Sequence, residues 1–80
     1  MIVAILSIDG RRLTHVEFAA LPDGAQFEAV YAPDDAYPAG RVARFACVTL
    51  RGHIAPERSY SWISTRPLTA QEREAYHAQA

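Results

Sequence analysis

The stretch Arg41-Val42-Ala43-Arg44-Phe45-Ala46-Cys47-Val48-Thr49-Leu50 carries two periods at once, and the choice between them governs the architecture. Val42, Phe45, Ala46, Thr49 and Leu50 fall at helical spacing, with Gly52 placed as a C-terminal stop. Read with period two, Phe45, Cys47 and Thr49 alternate with Ala46, Val48 and Leu50, as in a buried strand. The β-branched residues and the aromatic favour the strand, while the helix stays open.

On the C-terminal side, Ser59-Tyr60-Ser61-Trp62-Ile63-Ser64 reads as a strand with Tyr60 and Trp62 on one face, and Gly52 to Arg58 as the connection. Arg66-Pro67-Leu68-Thr69 then leads into strong helix formers from Ala70 to Ala78, where Thr69 as N-cap and Glu72 three residues on form a capping box. That helix is thinly amphipathic, with Leu68, Ala75 and Tyr76 its packing residues.

On the N-terminal side, Phe27, Ala29 and Tyr31 share one face of a strand stopped by Pro33, and Ala32 to Gly40 is a loop. Leu21-Pro22-Asp23-Gly24-Ala25 is a turn, with Gly24 in the left-handed position. Residues Thr14 to Leu21 carry a conflict. Thr14 and Glu17 fit a capping box, and Leu13 with Phe18 a hydrophobic staple, but the following turn suits a connection between strands, and the strand is favoured. Ile2 to Ile8 is a strand closed by Asp9-Gly10, a two-residue hairpin signal that sets Val3 opposite Val16, Ile5 opposite Thr14 and Leu6 opposite Leu13. Apolar residues on both faces point to a central place in the sheet. The expected fold is α+β: one small domain over residues 1–80, an antiparallel meander of about five strands, open or partly closed into a barrel, with one C-terminal helix.

Eighty residues, half of them apolar, with a net charge of −1, exclude a multidomain enzyme, a disordered tail and a membrane-spanning chain. The single Cys47 forms no internal disulfide and lies in an apolar run, so a reducing interior and a core position are expected; exposed, it would be a route to a homodimer. The apolar N-terminus lacks a preceding basic residue, so it reads as a strand and not a leader, and a cytoplasmic location away from membranes is expected. All eight basic residues are Arg, and Lys and Asn are absent beside fifteen Ala, the mark of a GC-rich coding sequence of bacterial or phage origin.

Reactive spacing is missing. His15, His53 and His77 fall in separate elements without metal-ligand spacing, the glycines are isolated, and Asp34-Asp35 reads as a solvated turn. No enzyme activity, metal or cofactor is expected. Charge, by contrast, is segregated: residues 1–40 sum to −4 and residues 41–80 to +3. Either the halves neutralise each other across the fold, or they form separate charged faces. The second alternative makes the chain a non-enzymatic protein-binding module. Glu17, Glu28, Asp34 and Asp35 would then meet a basic, nucleic-acid-binding surface of a protein partner. A phage or mobile-element inhibitor of a larger host complex, of the anti-CRISPR kind, fits the size and composition. The competing expectation is nucleic-acid binding through Arg44, Arg58, Tyr60, Trp62 and Arg66, with bases stacked on the aromatics.

Overall fold

The stretch with two periods is a strand. In the computed structural model, which describes residues 1–51 and 56–77, the chain runs β1 (Ile2–Ser7), α1 (His15–Ala19), β2 (Gln26–Tyr31), β3 (Arg41–Arg51), β4 (Pro56–Pro67) and α2 (Ala70–His77). The strands form one antiparallel sheet of four in the order β1-β2-β3-β4. The expected connection from Gly52 is short, since β4 begins at Pro56; residues 52–55 and 78–80 lie outside the described residues.

Register sorts the side chains onto two faces. Phe27 opposite Phe45, and Cys47 opposite Tyr60, put these four on one face, the aromatic face. Val30 opposite both Ala4 and Val42 defines the other, where Ala4, Leu6, Val30, Val42 and Leu68 form a buried core with Val3 and Tyr76 packed against it. Leu68 and Tyr76 bring α2 to this second face, as its stripe predicts, but Ala75, expected to pack with them, is exposed. Its capping box is present: Glu72 N–H donates to Thr69 Oγ1 at 3.1 Å, and Thr69 N–H to Glu72 Oε1 at 3.0 Å.

The sheet has one strand fewer than expected because residues 15–19 are helical. The hairpin after β1 also differs. Gly10 takes its positive φ of +90° and donates to Ser7, but the return is only a short pairing of Arg12 with Leu6, one residue out of the expected register. Thr14 then opens the helix, so β1 takes β2 as its partner and stands at the edge of the sheet, not at its centre. Its outer edge is closed by Arg11 to Leu13: Ser7 N–H donates to Arg11 O and Leu13 N–H to Ile5 O, both at 2.8 Å.

One ion pair ties α2 to the sheet. Both guanidinium nitrogens of Arg66 donate to Glu72, at 2.6 and 2.8 Å, and these bonds, with the Thr69 N–H, hold the Glu72 carboxyl down at about 2 against an ordinary 4.5. A carboxyl whose folded value is depressed contributes stability that is full above about pH 4.5 and drains away as pH falls toward 2. The pair is partly exposed, so about 1 kcal/mol is at stake. Glu72→Gln should cost about that much at pH 7, and urea titrations should show the gap between variant and parent shrinking below pH 4.5 to a small fraction of its neutral-pH size near pH 2. A gap that keeps its neutral-pH size down to pH 2 contradicts the assignment.

Candidate interaction surface

Two contacts far apart in sequence build the aromatic face. Thr14 Oγ1 accepts from Glu17 N–H and Glu17 Oε1 from Thr14 N–H, both at 3.1 Å, so a five-residue helix starts with its first donors satisfied. Its other end is held by β4. Arg58 donates to the carbonyls of Ala19 at 2.8 Å and of Phe18 and Leu21 at 3.2 Å, neutralising the oxygens that a helix C-terminus leaves without partners. The same guanidinium touches Cys47 Sγ at 3.0 Å, a contact that raises its already high pKa and keeps it charged.

Anchored at both ends, α1 lowers Phe18 onto the sheet. Its ring meets Phe27 edge-on at 5.0 Å and Tyr60 at 5.6 Å, while Phe27 stacks near Phe45 at 5.7 Å. Beside this cluster, between α1 and the strands, lies an open groove of about 470 Å³ whose walls include Ile2, Ile5, Ala29 and Tyr31. Past its β4 side, Trp62 is 62% exposed and Ile63 41%. The sole Trp is therefore a surface residue and not the core residue that its size favours, and its indole N–H is satisfied by Thr65 Oγ1 at 2.8 Å.

Two arginines of this face already have partners. Arg58 is occupied as described. Arg41 pairs with Asp34 at 2.8 Å and lies over the Tyr31 ring at 4.4 Å. Among the described residues the lining of the groove itself holds no charged side chain, and Arg12 enters only in the adjoining cleft that shares Ile2, Ile5 and Phe18 with it.

The four carboxylates read from sequence as an acidic surface are not brought together. Glu17 lies on α1 and pairs with Arg11 at 2.6 Å; the Thr14 N–H, then Arg11, hold its carboxyl below the usual range. Asp34 and Asp35 stand in the loop at the opposite end of β2, where the Tyr37 N–H and then Arg41 lower Asp34. Glu28 is buried at 9% exposure on the second face, 3.5 Å from Arg44. Two of the described ion pairs, Glu28 with Arg44 and Asp34 with Arg41, join the acidic half of the chain to the basic half, so the halves neutralise each other here. The nucleic-acid set is divided as well. Arg44 and Arg66 lie on the second face paired with Glu28 and Glu72, Arg58 is turned under α1, and Tyr60 and Trp62 are on the aromatic face.

His15 is exposed at the first turn of α1, and His53 lies outside the described residues. No group of three metal-ligating side chains occurs among the described residues, and no described helix is long and apolar enough to cross a membrane. Cys47 is buried, as its apolar neighbours predict. No family model, curated protein or solved structure matches this chain. Its function is accordingly read from the surface alone. The groove residues that sequence reasoning missed, Ile5, Phe18 and Phe45, carried a usable signal. The capping box at Thr14 turns Phe18 onto the Phe27 side once it is accepted as a helix start.

Proposed function

We propose that this chain is a small non-enzymatic module that binds another protein through the aromatic face of its sheet. The observation that carries the reading is the apolar groove, open to solvent and free of uncompensated charge, beside exposed Tyr60, Trp62 and Ile63. Exposed contiguous apolar surface rimmed by satisfied polar groups marks an interaction site. Aromatic residues in such a setting are the usual energetic anchors. The fitting partner is a protein segment presenting apolar side chains, such as one face of an amphipathic helix laid into the groove. Inhibition of a larger host assembly by blocking one of its surfaces is the narrower form of the same proposal, supported by the chain's size and composition.

The test is affinity capture from the source organism, followed by binding of the purified captured protein to surface variants. Trp62→Ser and Ile2→Ser, both at exposed positions, should each weaken binding at least about tenfold. Reversal of Asp35 should leave it unchanged, and raised salt should not weaken it. Binding that ignores Trp62 and Ile2 but collapses with salt overturns the aromatic face as the site. Salt-dependent binding of a short oligonucleotide with quenched Trp62 fluorescence, and no protein captured, selects nucleic-acid binding instead.

A further inference from the structure

The two edges of the sheet are treated differently. The outer side of β1 is closed by Arg11 to Leu13, whose backbone bonds to Ser7 and Ile5, and the Arg12 guanidinium reaches Val3 O at 3.4 Å. β4 has β3 on one side and, among the described residues, no strand on the other. It is also the longest strand, at 12 residues. Edges that must not pair usually carry lysines, inward charges or prolines. Here Ser59 to Thr65 contains neither charge nor proline, and the two prolines stand at the strand's ends, Pro56 and Pro67.

We propose that β4 pairs antiparallel with β4 of a second copy of this chain, about a two-fold axis through Ser61, extending the sheet to eight strands. An antiparallel pair of identical strands is self-complementary, as a closed dimer requires. A bulge decides the register. Against β3, Ser64 lies opposite Arg44 and Trp62 opposite Phe45, so Ile63 is the extra residue and the strand changes phase there. With Ser61 on the axis, Tyr60 of each copy faces Trp62 of the other on the aromatic face. Stepping over Ile63, Ser59 then meets Ser64, Arg58 meets Thr65 and Glu57 meets Arg66. Each of these pairs has both members on the same face, as a ladder demands.

Axes through Tyr60 or Trp62 also keep the faces matched, but they set Glu57 opposite Ser64, or Arg66 opposite Ser59. Only the Ser61 axis puts the opposite charges across from each other, at both ends, together with two cross-strand aromatic pairs. Arg66 keeps its bonds to Glu72 and has donors left for a second carboxylate.

The inference does not depend on the proposed function. A dimer that captures no other protein, and a monomer that does, separate the two. Sedimentation equilibrium of the full chain at about 100 μM, a concentration within reach of standard-size interfaces, should give the dimer mass. Under mild oxidation Ser61→Cys should cross-link two chains, because opposed α-carbons in such a pair lie about 5 Å apart, within disulfide range. Ser59→Cys should not, since the two copies of residue 59 would stand about 14 Å apart. Glu57→Arg, at an exposed position, should raise the dimer dissociation constant at least about tenfold at low salt and less at high salt. A monomer mass, or equal cross-linking at positions 59 and 61, overturns the pairing.

Discussion

Phe27→Ala is expected to lower the unfolding free energy by about 3–5 kcal/mol, the largest effect of any single truncation in this chain. Phe27 is 3% exposed and its ring touches Phe18, Phe45 and Tyr60. It is the only one of the four that meets all the others, so its removal leaves three rings facing a void. Collapse into that void is resisted, because β2 is bonded to β1 on one side and β3 on the other, and Phe45 and Tyr60 are held in register on β3 and β4. Only α1 lies outside the strand ladder, held there by Arg58, and with Phe27 gone its Phe18 keeps one aromatic contact, Tyr60. A domain of this length has a total stability of about 4–12 kcal/mol, so the variant stands near its unfolding limit. Phe27→Leu, which keeps most of the volume, should cost about 1–1.5 kcal/mol. Urea titration measures both, and amide exchange over residues 15–19 should show α1 loosening ahead of the sheet in Phe27→Ala. A loss below about 1 kcal/mol would mean that the aromatic face is not consolidated through this ring.

Signals local in sequence were readable, and those that depend on distant partners were not. The capping box at Thr69 and the helix formers after it placed α2 to within a residue. The alternation of Phe27, Ala29 and Tyr31 gave β2 and its aromatic side, and β-branched content gave β3. At Thr14 the same capping box was visible, yet a helix of five residues is unstable alone. What stabilises α1 is Arg58, thirty-nine residues downstream of Ala19 and bonded to its carbonyl. No local pattern announces that contact. β1 was misplaced for a related reason: apolar side chains on both faces are equally compatible with a central strand and with an edge strand whose outer side a returning segment closes. The charge segregation was legible as a fact, but its meaning was not. Glu28 and Arg44 sit opposite each other only because β2 and β3 pair in one register, and that pairing turns an apparent acidic surface into neutralised cross-strand partners.

That same pair yields the second large effect. Glu28 has a side chain only 12% exposed, and its one described ion pair is with Arg44 at 3.5 Å, with the Arg66 guanidinium adding a weaker attraction. Arg44→Met should cost about 2 kcal/mol, mostly because a carboxylate held out of water loses its compensating charge. Arg44 is itself imperfectly served, since its Nε is buried without a hydrogen-bond partner. Replacing both residues together, Glu28→Leu with Arg44→Met, removes the desolvation cost of both groups and that unsatisfied donor. The double variant should therefore lie within about 1 kcal/mol of the parent, and a double-mutant cycle should show a coupling of 1 kcal/mol or more. If the single and double variants are equally destabilised, the pair acts through packing and not through charge. If the double variant is as stable as the parent, the pair's role is in pairing β2 with β3. A slip of two residues along β3 would set Glu28 against Val42 or Ala46 and leave it uncompensated, so an ion pair that adds little net stability still penalises the wrong register. Cross-strand amide contacts measured in the double variant would then show a second register populated that the parent lacks.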